Sequence, residues 1–235
     1  MFRGKMKAIT FSYDDGVTQD KKLIEIFNKY GLKATFNINS ELLGLDGQLV
    51  REGKTVNHNK INKSEVREVY MGHEVAVHTL THPNLTRLDE KEIIRQVEED
   101  RKNLEALVGY NVVGMAYPCG GENNNDFVAG VIRNNTKIKY ARTITSTHSF
   151  DLQTNLFRFN PTVYHHKEWD IMFELAEEFI KLKTDKPQIF YIWGHSFEFD
   201  IHNTWNEFEE FCKLISNKND IFYGTNREVL LPSVY

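Results

Sequence analysis

The sequence alternates between strand-like and helix-like segments over most of its length, and this alternation constrains the fold more than any other feature. Met6 to Phe11 is an apolar, strand-like run. Lys21 to Tyr30 has apolar residues at helical spacing and is followed by Gly31, where a C-terminal helix cap would lie. Repeated alternation of this kind predicts a mostly parallel sheet with helical crossovers, arranged either as an open doubly wound sheet or as a closed barrel.

The remaining predicted elements continue the pattern, with one interruption. Residues 44–63 are rich in glycine and polar residues and predict a long loop or an excursion from the main fold. A short helix is predicted from Ser64 to Met71. The longest helix begins near Asp89, whose side chain can form a capping box with Glu92, and ends at Gly109. The other predicted strands are residues 33–38, 73–77, 111–117, 137–143, 156–160 and 188–194, and the other predicted helices are residues 127–134, 170–181 and 206–215.

Composition indicates one folded domain over residues 1–235. The chain is 40% hydrophobic and 26% charged, as expected of a single α/β unit of this length. Its formal net charge of −4 provides no basic surface, so neither nucleic acid nor a membrane is expected as a partner. Two cysteines are too few for a disulfide framework, and no segment resembles a signal peptide or could cross a bilayer. We therefore expect a cytoplasmic protein, although an exported protein without its leader would look the same; the oligomeric state is left open.

Four of the predicted strands run into unusual clusters of polar residues and glycines. In both candidate architectures, catalytic residues gather at the carboxyl ends of the strands. Because these ends meet at one edge of a parallel sheet, the four clusters predict a common site there. They are Ser12-Tyr13-Asp14-Asp15-Gly16, His78, Tyr117-Pro118-Cys119-Gly120-Gly121 and Trp193-Gly194-His195.

Two histidines, His78 and His82, follow the strand that ends at Val77. In an extended strand, four residues would separate the two by roughly 13 Å, whereas a helical turn brings side chains at this spacing to within about 5–6 Å. Only the second geometry lets both imidazoles reach one metal ion. Pro83 disfavours a helix at the preceding residue, so we expect a strand followed by a single tight turn. Two unrelated loop histidines are the alternative.

Asp14 and Asp15 lie next to each other at the end of the first strand, with Gly16 permitting the turn. Their side chains point in divergent directions, so one can bind a metal while the other faces a substrate. An ordinary solvated turn is the alternative. Asp15 combined with His78 and His82 would supply two nitrogens and one oxygen and leave a position open for water, which is the pattern of a catalytic zinc site. Such a site implies hydrolysis.

The segments "TFSYDDG", "HTLTH", "YPCG" and "WGH", in this order and at these strand ends, resemble the polysaccharide deacetylase family. This is carbohydrate esterase family 4, also described as the nodulation-type chitooligosaccharide deacetylase homology domain. The similarity extends from about Lys7 to about His195. It implies an irregular (β/α) barrel with about seven parallel strands. It also implies a metal-dependent hydrolase that removes N- or O-linked acetyl groups from a sugar, which is the expected partner.

The resemblance implies a role for each matching residue. Asp14 matches the catalytic base and His195 the catalytic acid, while the metal ligands are Asp15, His78 and His82. The metal would be zinc by ligand type, with Co²⁺, Ni²⁺ or Mn²⁺ as alternatives. The oxyanion formed during acetyl hydrolysis would be stabilised by a backbone N–H of the loop that follows the fourth strand, where the family uses the residue equivalent to Cys119. That loop comprises Tyr117, Pro118, Cys119 and Gly120, and the Cys119 side chain is expected to be structural.

The sequence departs from the family pattern in two places. Ala116 occupies the position of an arginine that pairs with the catalytic base in many members, and Arg142 and Arg158 are the candidate replacements. The family's Asp-x-x-Asp-Trp segment, whose aspartate orients the acid histidine, is missing between Tyr140 and Phe159, and Asp151 is the candidate replacement. Surface positions are the simpler interpretation for all three candidates. A further cluster of His165, His166 and Trp169 predicts either part of a sugar-binding cleft or an exposed loop.

Three functions remain open from the sequence. The first is a metal-dependent deacetylase of an N- or O-acetylated sugar. The second is a metal-dependent hydrolase of a non-sugar amide, since a cytoplasmic protein rarely meets polymeric glycans. The third is a catalytically idle carbohydrate-binding relic of the fold. The presence of base, acid and three ligands argues against the third function, because a degenerate copy need not retain all five residues.

Overall fold

The structure is a computed structural model that describes residues 1–231, so the last four residues of the predicted domain lie outside the described part. Its strands are β1 (Lys7–Asp14), β2 (Ala34–Ile38), β3 (Gln48–Arg51), β4 (Lys54–Asn57), β5 (Glu74–Val77), β6 (Gly114–Ala116), β7 (Tyr140–Arg142), β8 (Val163–Tyr164), β9 (Gln188–Gly194) and β10 (Ile221–Tyr223). Its helices are α1 (Asp20–Lys29), α2 (Val66–Val69), α3 (Glu90–Val108), α4 (Asp126–Asn135), α5 (Trp169–Lys181), α6 (Glu198–His202), α7 (Trp205–Ile215) and α8 (Asn226–Leu230).

Seven strands form one curled parallel sheet in the order β7, β6, β5, β2, β1, β9, β8, and β10 pairs with the first half of β1. A parallel bridge between Arg142 and Phe159 links β7 to the segment that leads into β8. The sheet therefore curls into an irregular half-barrel, which confirms the predicted α/β fold with about seven parallel strands.

The core explains why the alternating pattern predicts this sheet. All eight residues of β1 are buried, because the strand lies at the centre of the sheet and is covered on both faces. Each crossover helix buries one apolar stripe: Leu23, Ile24 and Phe27 of α1 lie in the same core as Phe208 of α7. α3 begins after Asp89, whose side chain accepts the backbone N–H of Glu92, and ends at Gly109 in the left-handed conformation, as predicted.

Two parts of the sequence-based assignment are wrong. The predicted loop over residues 44–63 contains the antiparallel hairpin β3–β4, whose register pairs Gln48 with Asn57 and Arg51 with Lys54. The predicted strand over residues 156–160 is instead a 3₁₀ turn from Leu156 to Arg158, because the Asn155 side chain accepts the backbone N–H of Phe157 and caps a turn. The short elements β8, α6, β10 and α8 were not predicted, since segments of two to five residues carry too little periodicity.

The carboxyl ends of β1, β5, β6 and β9 meet at one edge of the sheet, as the parallel topology requires. Gly16, just after β1, has φ 63°, and a Cβ there would meet the Cγ2 of Ile38 at 2.8 Å. The turn out of β1 therefore requires glycine for both conformation and space. Among residues 1–231, no helix combines the length and the apolarity needed to cross a bilayer.

Candidate active site

A cleft of about 370 Å³ opens at this edge of the sheet. Side chains from the ends of separate strands line it, which is the placement expected of an active site in a parallel α/β fold. Most of the site residues predicted from the sequence are among its lining residues, and Pro118 lies within the loop between two of them. The predicted residues that line the cleft are Asp14, Asp15, His78, His82, Tyr117, Cys119, Gly120 and His195.

Asp15, His78 and His82 converge on a single point. The Nε2 atoms of His78 and His82 lie 3.8 Å and 3.5 Å from Oδ1 of Asp15, and the three potential ligand atoms all lie within 4.8 Å of one another. β5 ends before the first histidine and a tight turn follows, as predicted. In that turn the backbone N–H of His82 donates to Oγ1 of Thr79 at 3.1 Å. Two imidazoles and one carboxylate at these distances fit a divalent transition metal.

Backbone strain accompanies this convergence. Asp15, Thr79 and His82 have φ values of 83°, 69° and 62°, and Cys119, whose side chain contacts His82, has 70°. Residues other than glycine adopt this left-handed region at a free-energy cost, and such outliers cluster at functional sites. The concentration of four such residues around one cleft indicates that the fold is holding side chains in a required arrangement.

The surrounding contacts orient the three potential ligands. Nδ1 of His78 lies 2.9 Å from the carbonyl oxygen of Ala116, so Nδ1 carries the proton and Nε2 presents its lone pair to the cleft. Oδ2 of Asp15 is 3.1 Å from Nε2 of His58, and Nζ of Lys60 donates to the backbone carbonyl of Asp15 at 2.8 Å. Both His58 and Lys60 come from the segment after β4, and sequence reasoning missed them.

The electrostatics of these residues favours metal binding. Burial lowers the pKa of His78 to about 4 and also lowers the pKa of His82, so both imidazoles are neutral near pH 7. Burial alone would raise the pKa of Asp15, but the hydrogen bond from His58 and the charge of Lys60 overcome this and hold that pKa well below its usual range. Neutral imidazoles and an ionised carboxylate are the protonation states that metal ligands require.

Asp14 forms a buried ion pair with Arg142, and its Oδ2 also lies 3.9 Å from Nε2 of His78. Nη2 of Arg142 donates to Oδ1 and Oδ2 of Asp14 at 2.6 Å and 2.5 Å, and both side chains are almost completely buried. The guanidinium also lies over the ring of Trp193, 4.4 Å from its centroid. Nδ2 of Asn37 donates to Oδ1 of Asp14 at 2.8 Å. Asp14 is therefore held in one orientation by charge-assisted hydrogen bonds.

His195 also lines the cleft and is held by Glu198, the first residue of α6. Nδ1 of His195 is 3.0 Å from Oε1 of Glu198, and Oε2 of the same carboxylate accepts the His195 backbone N–H at 2.9 Å. The carboxylate also contacts Nε2 of His165 at 2.9 Å. Burial by itself lowers the pKa of His195, but the Glu198 charge outweighs burial and raises that pKa to about 9. His195 is therefore protonated near neutral pH, the state that a proton donor needs.

The loop after β6 is shaped by Asn123, a completely buried residue that sequence reasoning missed. Its Nδ2 lies 3.2, 3.1 and 2.8 Å from the carbonyl oxygens of Tyr117, Pro118 and Cys119. The C=O and N–H of a trans peptide point in opposite directions. The N–H groups of Cys119 and Gly120 are therefore directed away from Asn123, and both residues line the cleft.

The Cys119 side chain serves as a packing group. Its Sγ lies 3.5 Å from the carbonyl oxygen and 3.8 Å from Nδ1 of His82. Burial raises the pKa of the Cys119 thiol, which disfavours the reactive thiolate. Cys119 and Cys212 are both free thiols.

Aromatic rings form one wall of the cleft. The ring of Tyr164 stacks on Trp193 with 4.3 Å between centroids, and both residues line the cleft. The predicted cluster of His165, His166 and Trp169 does not form this wall. His165 is buried beneath it against Gly194, and neither His166 nor Trp169 is among the residues lining the cleft.

With this geometry established, comparison with known proteins becomes informative. A family model described as polysaccharide deacetylase matches residues 3–137, more than half of the chain. The chain belongs to the polysaccharide deacetylase family. It is 29% identical over 120 residues to the peptidoglycan-N-acetylmuramic acid deacetylase PdaC of Bacillus subtilis. That match covers 50% of this chain and 22% of PdaC, so the matched part of the chain corresponds to about a fifth of the relative's length.

Solved structures show the same fold at lower sequence identity. The Xyl-CE4 domain of a multidomain xylanase from the hindgut metagenome of Trinervitermes trinervoides superposes with a TM-score of 0.58 at 17% identity, covering 97% of this chain and 91% of that chain. A CE4 family pseudoenzyme from Bacillus anthracis superposes with a TM-score of 0.56 at 18% identity, covering 96% and 66%. The polysaccharide deacetylase fold is thus shared with a protein described as a pseudoenzyme, and activity must be argued from the site.

The two departures from the polysaccharide deacetylase pattern have structural answers. Arg142, at the end of β7, contacts Asp14, whereas the other candidate, Arg158, pairs with the exposed Asp126 at 2.7 Å. Asp151 is exposed and accepts from Nε2 of Gln188, so it is a surface residue and does not orient His195. Glu198 is the carboxylate that orients His195, because its Oε1 lies 3.0 Å from Nδ1 of the histidine. The sequence could have indicated this contact, because Glu198 lies only three residues after His195.

Proposed function

We propose that this chain is a metal-dependent hydrolase that removes acetyl groups from an acetylated carbohydrate. One observation carries the proposal: a carboxylate, Asp14, and a histidine with a raised pKa, His195, flank a point where three potential metal-ligand atoms converge. A base and an acid in opposite protonation states are what hydrolysis of an amide or ester bond requires. Family membership supports acetyl groups on carbohydrate as the substrate class.

Each residue then has a chemical task. A divalent ion held by Asp15, His78 and His82 would polarise the acetyl carbonyl and lower the pKa of the attacking water, and the ligand types favour zinc over Co²⁺, Ni²⁺ or Mn²⁺. Asp14 accepts the proton of that water, and Arg142 keeps its carboxylate in place. The backbone N–H groups of the loop from Tyr117 to Gly120 stabilise the oxyanion. His195 donates its proton to the departing nitrogen or oxygen.

The carbohydrate would bind against the aromatic wall. The half-buried ring of Tyr164, supported from behind by the buried Trp193, suits the apolar face of a sugar. Two cations, Arg51 and Lys167, also line the cleft, and neither has an ion pair among residues 1–231. Unpaired cations beside a sugar site favour a substrate that carries a carboxylate near the acetyl group. The name of the relative PdaC, which refers to N-acetylmuramic acid, is consistent with such a substrate.

Acetate release tests the proposal directly. The zinc-loaded protein is assayed on peptidoglycan fragments, chitooligosaccharides, acetylxylan and small non-sugar amides. We expect release from at least one acetylated sugar and a loss of about 10²–10⁴-fold in Asp14→Asn and His195→Ala with metal content unchanged. Acetate release from the small amides alone would show that the substrate is a non-sugar amide. No release from any of them, by a folded and metal-loaded protein, would identify an idle relic.

A further inference from the structure

A second group of metal-binding side chains lies outside the cleft. It consists of Glu52 at the tip of the β3–β4 hairpin, His166 just after β8 and His202 at the end of α6. Nε2 of His166 lies 3.1 Å from Oε1 of Glu52, and Nε2 of His202 lies 2.9 Å from Oε2 of the same carboxylate. The potential ligand atoms all lie within 4.8 Å of one another. Three separate elements thus each deliver one ligand atom to the same place.

We propose that Glu52, His166 and His202 form a second metal site, which takes one zinc ion or a similar divalent transition metal. Two imidazole nitrogens and a carboxylate oxygen match the ligand preferences of zinc, and solvent can complete the coordination. This rim site shares no residue with Asp15, His78 and His82. The inference therefore does not depend on the proposed function.

The arrangement of the two rings favours a shared cation. The imidazoles of His166 and His202 are stacked, with centroids 5.4 Å apart and planes 29° from parallel, and each directs Nε2 at the Glu52 carboxylate. Protonation of both rings would place two like charges face to face. A metal bound by the same nitrogens uses neutral rings and leaves one positive centre opposite the carboxylate.

The turn that carries Glu52 supports the same conclusion. Glu52 and Gly53 have φ values of 51° and 74°, so this two-residue hairpin loop has positive φ at both central positions. Such a turn strongly prefers asparagine, aspartate or glycine at its first central position. Glutamate there costs conformational free energy, yet its longer side chain is the one that reaches both histidines. A binding role accounts for that choice.

Metal binding at the rim site would fasten the hairpin over the cleft. The hairpin has a thin anchorage: Val56 and Leu49 belong to a small apolar cluster separate from the main core, and Nζ of Lys54 donates to the carbonyl of Ile201 at 2.5 Å. Arg51, next to Glu52, and Lys167, next to His166, both line the cleft. Occupancy of the rim site therefore holds these two cations in place above the substrate. It also fixes the far end of α6, whose first residue is Glu198.

Zinc stoichiometry tests the rim site without reference to activity. The full chain is equilibrated with Zn²⁺ by dialysis, and bound metal is measured by elemental analysis. We expect two equivalents in the wild type and one in His166→Ala, in His202→Ala and in Glu52→Gln, an isosteric change at an exposed turn that leaves the fold intact. The matched control is His148→Ala. His148 forms an exposed pair with Glu168 at 2.6 Å but has no second histidine, so this variant should retain both equivalents.

Proteolysis gives a second readout of the same site. Trypsin can cleave after Arg51 and Lys54, which flank Glu52 and Gly53. At free zinc ten times the dissociation constant of the rim site, cleavage there should slow about tenfold in the wild type and remain unchanged in His166→Ala.

A wild-type zinc content that none of the three rim substitutions lowers would overturn the proposal. The catalytic metal site of the proposed function is tested separately: His78→Ala should lose one zinc equivalent. If His78→Ala loses one zinc equivalent and the three rim variants keep the wild-type zinc content, the rim site is refuted and the catalytic proposal is not.

Discussion

Replacement of Glu198 by glutamine should shift the pH range in which this protein is active. The substitution keeps the size of the side chain, and the amide oxygen can still accept from Nδ1 of His195. The amide nitrogen cannot accept the His195 backbone N–H that Oε2 accepts in the wild type, so that hydrogen bond is lost at every pH. It removes the negative charge that lies 3.0 Å from Nδ1 of His195. Because the Glu198 charge raises the pKa of His195 to about 9, its removal should bring that pKa back toward the ordinary value of about 6.5.

The size of the effect follows from the two pKa values. A proton donor works only in its protonated form, so activity falls as the pH rises through the pKa of His195. At pH 8, about 90% of His195 is protonated when its pKa is about 9, but only about 3% when it is about 6.5. We therefore expect the change in His195 protonation to cost Glu198→Gln about 30-fold in kcat/KM at pH 8 and less than about twofold at pH 6.

Two measurements check this prediction. Acetate release on the best substrate is followed from pH 6 to 9.5 in the wild type, in Glu198→Gln and in the control Glu168→Gln. Glu168 accepts hydrogen bonds from Ser146 and from the backbone N–H of Tyr164 and contacts His148, so its charge is removed without changing the carboxylate that holds His195. In parallel, NMR titration of the metal-free protein reports the pKa of His195 directly. A loss in Glu198→Gln that is equal at pH 6 and pH 8, or an unchanged His195 pKa, would refute the argument.

Three further outcomes are expected. His78→Ala should abolish zinc binding at the catalytic cleft, and elemental analysis showing the wild-type zinc content would exclude this residue as a ligand. Arg142→Lys keeps the charge but loses the guanidinium whose Nε and Nη1 donate to Ser12 and to the Thr143 carbonyl and so hold Nη2 on the base. A charge-assisted hydrogen bond weakened in this way is worth about 1.5–3 kcal/mol, so kcat/KM should fall about 10- to 150-fold. The control Arg158→Lys, on the surface, should change kcat/KM less than about twofold. If the two variants lose kcat/KM equally, Arg142 has no special role in holding the base. Asn123→Ala frees the carbonyls of the oxyanion loop and should lower kcat by up to about 10²-fold with zinc retained, as steady-state kinetics and metal analysis will show.

The sequence was sufficient for the residues whose placement depends on local structure. Asp14 is the last residue of a strand, Asp15 and His195 each follow a strand directly, and His78 and His82 lie within one tight turn. In a parallel sheet such positions meet at one edge whatever the details of packing, because every strand points the same way. The strand from Gln188 to Gly194 was predicted with its observed bounds for a similar reason, since a long apolar run between polar segments has one interpretation.

The supporting residues could be assigned only from the tertiary structure. Arg142 and Asp14 are 128 positions apart, and the guanidinium reaches the carboxylate because β7 and β1 curl toward each other across the half-barrel. Local patterns report which residues are buried or turn, but not which side chains from distant strands meet. The same holds for Glu52 and His166, 114 positions apart, which are brought together by a hairpin that the sequence had indicated only as a loop. Such pairings depend on the curvature of the sheet and the lengths of its connections, which are properties of the whole packed chain.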